Sequence, residues 1–308
     1  MMGSSSYTQI NMEKFTAKLR DMQGTKFPIV KATFKGKDDQ IQTGIMMVDT
    51  GSAKCILNRS VIPNLEDNAA IEDNKMTIHS IQGKVAECQG YLLSFRIGNR
   101  LFSETFYVNE DMDFGQIFNG PFIGIVGHEF LRKNKMVLDY ETETLHESAG
   151  SIECHPEDYK FIFPMFWGLK YYNAPIVELV YGDKEYLMMV DSGASDTVIT
   201  KHLMDDAGIC VGQLSGDGTI TGFTNDTLET ALYNVTLSIL CLGKTPERPR
   251  LYIQNDEVQV ISNSQYIIEG LKDAEGNALM PVSGMLSSEF MLRNKWVLDF
   301  ATGVMYQR

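Results

Sequence analysis

Asp49 and Asp191 stand in the same written context. Each follows Met-Met-Val and precedes a hydroxyl residue and a glycine: MMVDTG from Met46 to Gly51, and MMVDSG from Met188 to Gly193. Two carboxylates brought within about 3 Å of each other cannot both ionise, so one keeps a proton while the other is charged. Such a pair offers a general base and a general acid at once. The hydroxyls of Thr50 and Ser192 can each donate and accept a hydrogen bond, and a glycine lets the backbone approach a carboxylate closely. A blander origin is also open. Asp-Thr-Gly and Asp-Ser-Gly are turn tripeptides, and duplication of a plain turn would write them twice.

The elements around the two motifs are duplicated as well. FPIVKATFKGKDDQIQTGIMMVDTG in the first half faces NAPIVELVYGDKEYLMMVDSG in the second. Each reads as a β-hairpin whose second strand ends at the Asp. SIQGKVAE (Ser80 to Glu87) faces TITGFTND (Thr219 to Asp226), which matches Ile81 with Ile220 and Gly83 with Gly222. Each of these reads as the glycine-containing tip of a long hairpin. GIVGHEFLRKNKMVLDYETETLH from Gly124 faces GMLSSEFMLRNKWVLDFATGVMY from Gly284. Each reads as an apolar strand, a short helix and a closing hairpin containing Val-Leu-Asp. Three matched blocks in one order indicate a duplicated domain. Asp191 follows Asp49 by 142 residues but Gly284 follows Gly124 by 160, so the second copy carries about 18 more, placed by this reading within NDEVQVISNSQYIIEGLKDAEGNALM.

The boundaries follow from these blocks. Residues 1–26 form an N-terminal segment, 27–148 a first lobe, 149–170 a linker and interface segment, and 171–308 a second lobe. The polar stretch HESAGSIECHPEDY, from His146, runs from the end of the first lobe into this segment. The aromatic KFIFPMFWGLKYYNAP after it is read as interface core.

Composition narrows the partners. With 27 Lys plus Arg against 40 Asp plus Glu, the formal net charge is −13, which argues against nucleic acid and against an anionic membrane surface. The five cysteines, at 55, 88, 154, 210 and 241, are odd in number and widely spaced. They read as buried reduced thiols and not as a disulfide or zinc framework. The polar start MMGSSSYTQI is unlike a secretory signal, and no apolar run reaches the ~18 residues of a membrane span. A cytoplasmic protein is expected. Other motifs fail. His128-Glu129 is followed by Arg132 where a zinc protease needs its second His, and Asp113-Phe114-Gly115 has no kinase loops beside it.

Taken together, the chain resembles aspartic proteases of the retropepsin-like kind, with two copies in one chain. The resemblance runs from about Phe27 onward. It rests on Asp-Thr-Gly at 49–51, Asp-Ser-Gly at 191–193, the glycine hairpins near 83 and 222, and Ile-Val-Gly at 125–127 followed by a Phe-Leu helix. It implies an all-β-dominated fold of two closed β-barrel lobes with a few short helices, related by a pseudo-two-fold axis. The catalytic residues it implies are Asp49 and Asp191, supported by Thr50, Gly51, Ser52, Ser192 and Gly193. The Thr50 and Ser192 hydroxyls would tie the two loops together, and Ser52 would donate to the outer oxygen of Asp49. Ile81, Gly83, Ile220, Gly222 and Phe223 would form flaps over the substrate. It implies an extended polypeptide as substrate, no metal and no other cofactor, and a monomer holding an intramolecular pseudo-dimer.

There are departures. Ser287 replaces the glycine of the second copy, and His128 and Ser288 stand where retroviral enzymes commonly place an Arg. Neither flap has the Tyr of pepsin-like enzymes. A catalytically lapsed peptide-binding module of the same fold is therefore the alternative.

Overall fold

The computed structural model describes residues 15–22, 25–36, 40–58, 70–79, 85–109, 122–148, 159–165, 174–209, 214–221, 227–241, 250–261 and 282–308. Among the described residues the chain is mostly β, and the two halves repeat one plan. The first runs β1 (Thr16–Lys18), β2 (Arg20–Met22), β3 (Thr25–Lys35), β4 (Ile41–Asp49), β5 (Cys55–Asn58), β6 (Ala70–His79), β7 (Val85–Ile97) and β8 (Arg100–Asn109). It ends with β9 (Phe122–Gly127), helix α1 (His128–Lys133), β10 (Met136–Asp139) and β11 (Thr144–Glu147). The second runs β12 (Phe161–Pro164), β13 (Ile176–Tyr181), β14 (Lys184–Asp191), β15 (Thr197–Thr200), α2 (Lys201–Asp206), β16 (Leu214–Thr221), β17 (Thr227–Cys241) and β18 (Arg250–Ile261). It closes with β19 (Val282–Ser287), α3 (Ser288–Arg293), β20 (Val297–Asp299) and β21 (Val304–Gln307).

Each half closes on itself. In the first, strands neighbour in the order β3-β4-β9-β5-β8-β7, and β7 pairs back onto β3 through Ala32↔Ile97. In the second the order is β13-β14-β19-β15-β18-β17, and β17 returns to β13 through Leu179↔Ile239. Closure removes the open edges that a sheet would otherwise expose. Period-two alternation fills the barrels: on β7 Leu93, Phe95 and Ile97 are buried while Leu92, Ser94 and Arg96 face outward. The first barrel is packed by Phe34, Phe95, Phe102, Phe106 and Phe130, with ring centroids 5.0–5.7 Å apart.

A third sheet joins the halves in the order β1-β11-β10-β20-β21-β12. Its centre is the antiparallel pair β10/β20, with Val137↔Asp299, Leu138↔Leu298 and Asp139↔Val297. That register is unchanged when the partners are exchanged, so the pseudo-two-fold axis passes between Leu138 and Leu298. The same symmetry marks the turns. Lys135 and Lys295 both have positive φ (51° and 54°), as do Glu143 and Gly303 (53° and 73°). From the aromatic stretch within the linker and interface segment, β12 adds an outer strand to this sheet. Its Phe163 is fully buried, edge-on to Trp296 at 4.7 Å.

The extra length of the second copy falls in more than one place. Of the segment read as carrying the insertion, NDEVQVI lies inside β18, and the rest, from 262 on, is outside the described residues. Residues 242–249 separate β17 from β18, where Gly98 and Asn99 alone separate β7 from β8.

Candidate active site

Asp49 and Asp191 end the central strands of the two barrels. β4 runs between β3 and β9, and β14 between β13 and β19. β4 is buried from Gly44 through Asp49, while on β14 Met188 and Val190 are buried and Met189 and Asp191 are half-buried, so the two Asp are delivered where the lobes meet with Asp49 the deeper. Asp49 is 1% exposed. The registers match: Asp49 lies beside Gly127, and Asp191 beside Ser287, each across a parallel pair.

The two loops interlock reciprocally. Thr50 Oγ1 donates to the Val190 carbonyl at 2.6 Å and accepts from the Ser192 amide at 2.9 Å. Ser192 Oγ donates to the Val48 carbonyl at 2.6 Å and accepts from the Thr50 amide at 2.9 Å. Both residues are fully buried, where an unmade hydrogen bond would be costly. Each hydroxyl uses its single proton on a carbonyl, which can only accept, and a lone pair on the opposing amide.

The carboxylates lie within hydrogen-bonding reach of each other. Asp49 Oδ1 accepts from the Gly51 amide at 2.9 Å and the Ser52 amide at 3.1 Å. Asp191 Oδ1 accepts from the Gly193 amide at 2.8 Å. Burial first, then the charge of Asp191 and the hydrogen bond between them, push Asp49 well above the usual carboxylate range. Burial also raises Asp191, opposed by backbone amides led by Gly193. The pair therefore titrates as a unit. One proton shared between two carboxylates is an arrangement able to give and take protons together.

The glycines are needed for room. A Cβ on Gly51 would lie 2.5 Å from Asp191 Cγ, and one on Gly193 would lie 2.5 Å from Asp49 Cγ. Ser52 contributes differently from the expectation. Its hydroxyl donates to the Lys54 carbonyl at 2.9 Å, which uses its only proton, and it is the amide that reaches Asp49. The departure at Ser287 leaves its loop undistorted: Ser287 (φ −83°, ψ 167°) and Gly127 (φ −87°, ψ 169°) share one backbone conformation.

Behind the loops the two sides differ. His128 is buried, with Nδ1 2.9 Å from the Thr50 carbonyl. A carbonyl only accepts, so Nδ1 carries the proton. Burial pushes this imidazole down to about 4, so it is neutral above that. At the matching place Ser288 Oγ lies 3.0 Å from the Tyr140 hydroxyl. Sequence reasoning did not single out Tyr140. The signal was present as the difference between VLDY and VLDF in the repeat.

Of the flap residues, Ile81, Gly83, Gly222 and Phe223 lie outside the described residues. The hairpin strands that lead to them pair as expected, β6 with β7 up to His79↔Val85 and β16 with β17 up to Thr221↔Thr227. Ile220 packs with Leu228 and Met189 against buried Val198, Ile261 and Met285. No helix among the described residues is long and apolar enough to cross a membrane.

No protein-family model matches the sequence, and no curated protein does. Among solved structures the chain is similar to the aspartic proteinase from Irpex lacteus. The identity is 12% over 94% of this chain and 96% of that one, with a TM-score of 0.47.

Proposed function

We propose that this chain is an aspartic endopeptidase that hydrolyses an extended polypeptide with Asp49 and Asp191. The observation that carries the reading is the pair of carboxylates, one buried and one half-buried, held face to face by the reciprocal Thr50 and Ser192 hydrogen bonds. In this mechanism the charged aspartate removes a proton from a water as the water oxygen bonds to the scissile carbonyl carbon. The protonated aspartate gives its proton to the carbonyl oxygen. The tetrahedral diol then collapses, the C–N bond breaks, and a proton passes to the leaving nitrogen. The substrate lies as a β-strand under the hairpins β6/β7 and β16/β17. Water is activated by the carboxylates themselves, so the reading requires no metal or other cofactor.

The test is a peptide library digested by the purified chain and read by mass spectrometry, with Asp49→Asn and Asp191→Asn alongside. Turnover should fall about 10²–10⁴-fold or more in each variant, and chelators should leave the wild type unchanged. Peptides bound but never cut would support the lapsed binding module instead. Near-native activity in either variant would end the shared-dyad reading.

A further inference from the structure

Five residues beyond each aspartate of the dyad stands a charged residue, and the signs are opposite: Lys54 in the first lobe, Asp196 in the second. The loops that lead to them follow one path. The His128 amide donates to the Ser52 carbonyl at 2.8 Å, and the Ser288 amide donates to the Ala194 carbonyl at 2.9 Å. The two residues therefore hold matching places about the pseudo-two-fold axis, just before β5 and β15 begin. Their surroundings are not alike. Lys54 Nζ is taken by Glu129 Oε2 at 2.5 Å. Asp196 is half-buried, and its partners among the described residues are both uncharged.

The Asp196 carboxylate is nonetheless held. Ser195 Oγ donates to its Oδ2 at 2.7 Å, and Gln259 Nε2 donates to the same oxygen at 3.1 Å. Gln259, buried on β18, is itself oriented: Thr230 Oγ1, buried on β17, donates to its Oε1 at 2.7 Å. Turning the amide over would set its oxygen against the carboxylate, two acceptors face to face, so its orientation is fixed. Gly218 of β16 makes room for these contacts, since a Cβ there would lie 2.7 Å from Thr230 Oγ1 and 3.3 Å from Gln259 Oε1. In the first lobe the strand pairing puts Tyr107 in the place of Gln259, and its hydroxyl donates instead to Asn74 Oδ1 at 2.9 Å. In the second lobe, then, side chains tie the loop that carries Asp191 to the hairpin β16/β17, with a carboxylate at the joint. Both bonds to that carboxylate fall on Oδ2, and no described group bonds Oδ1. The second lobe is also the more acidic of the two, and its field draws cations.

We propose that Asp196 determines specificity: its open Oδ1 takes the ammonium or guanidinium of a Lys or Arg side chain of the substrate, at one position on the side of the scissile bond that lies along the second lobe. A polypeptide strand under β16/β17 passes this joint. The carboxylate is already oriented, so it receives a charged donor without rearrangement. The matching place along the first lobe offers Lys54, whose charge Glu129 already answers. The inference rests on the endopeptidase reading.

The experiment takes one cleaved peptide and places Lys, norleucine or Glu at each position in turn. At one position, Lys should raise kcat/KM about fivefold over norleucine. The gain should shrink as salt is raised from about 0.05 M to about 0.5 M, because the pair is partly open to solvent. In Asp196→Asn, which keeps an oxygen for Ser195 and Gln259 but loses the charge, the ratio of Lys to norleucine should fall to about one. In Asp196→Lys it should reverse in favour of Glu. A purely structural role for Asp196 would move all three peptides alike. An equal ratio in wild type and Asp196→Asn, or no position at which wild type prefers Lys, would overturn the proposal. If the variants fail to fold, the salt dependence of the wild-type ratio decides: a Lys gain that salt leaves unchanged would overturn it. Failure of the endopeptidase reading looks different, since wild type would cut no peptide or Asp191→Asn would keep its turnover. Binding of the Lys and norleucine peptides to Asp191→Asn, read by fluorescence anisotropy, then decides the role of Asp196 without turnover. Tighter binding of the Lys peptide supports the proposal, and equal binding overturns it.

Discussion

At the dyad, each glycine is demanded by the carboxylate opposite it. A methyl group on Gly193 would lie 2.5 Å from Asp49 Cγ, and one on Gly51 would lie 2.5 Å from Asp191 Cγ. The atoms in the way are the reacting groups, which the interlocked loops hold in place. Gly51→Ala and Gly193→Ala should each lower kcat about 10²-fold or more, since a displacement near 1 Å can cost that much. Far-UV circular dichroism should show the fold kept, and wild-type kcat in either variant would contradict the geometry. The dyad also costs stability, and the sign can be worked out. Both carboxylates titrate above 3.8, their value in a free chain, because of burial and, for Asp49, the neighbouring charge. From that pH up to the raised native values the folded state holds more protons than the unfolded one. Stability is therefore full below about 3.8 and is lost as pH rises through the native pKa. Asp49→Asn, inactive by the proposed mechanism, should unfold at higher urea than wild type at pH 7, and the gap should close toward pH 4. A gap constant with pH would mean that the two carboxylates do not share a proton.

At the scale of elements, Gly127 and Ser287 occupy the same backbone angles in the same place, at the ends of β9 and β19. Their neighbours differ. A Cβ on Gly127 would meet the Lys54 carbonyl at 2.5 Å and the Ser52 carbonyl at 2.7 Å, both in the loop that carries Asp49. In the second lobe the hydroxyl of Ser287 caps α3 by accepting from the Phe290 amide at 3.1 Å, and it lies 3.2 Å from Thr197 Oγ1. Ser287→Ala should thus cost about 1 kcal/mol of stability with little change in kcat, whereas Gly127→Ala should push on the Asp49 loop and lower kcat. Urea denaturation and kinetics on the pair separate the two effects. Equal behaviour of the two variants would sink the argument. The same contrast shows what could be read from sequence. The hairpins, the Asp-ended strands and the Val-Leu-Asp turns are visible because local pattern and repetition agree, and the structure pairs them in matching registers. Whether a serine is tolerated where its twin is a glycine depends on which carbonyl stands opposite, and that is set by a loop some 70 to 90 residues away. Ser52 does donate to Asp49, but through its amide, and proximity in sequence does not tell which of its two donors, amide or hydroxyl, faces the carboxylate.

At the scale of the whole molecule, the two Asp motifs meet within one chain. The hydrogen bonds that join the loops span 140, 142 and 144 residues of the same polypeptide. The joining sheet pairs β10 with β20, and Ser148 donates to Asp299 across the same boundary at 3.2 Å. Arg308 returns from β21 to bond Asp139 at 2.9 Å and Glu141 at 2.7 Å. A symmetric dimer of half-length chains would need each surface to complement itself. Here the surfaces have diverged, with Thr50 against Ser192, His128 against Ser288 and Tyr140 against Phe300. A second chain is therefore unnecessary for a complete site, and exchange of lobes between chains would have to break the joining sheet as well as the interlock. Activity per molecule should accordingly stay constant on dilution. Mixing Asp49→Asn with Asp191→Asn, each inactive alone, should restore nothing, because every site still contains one amide. If the dyad instead formed between chains, some mixed pairs would bring an intact Asp49 to an intact Asp191, and activity would return toward a fraction of the wild-type value. Recovery on mixing, with a rate that falls on dilution, would refute the single-chain site.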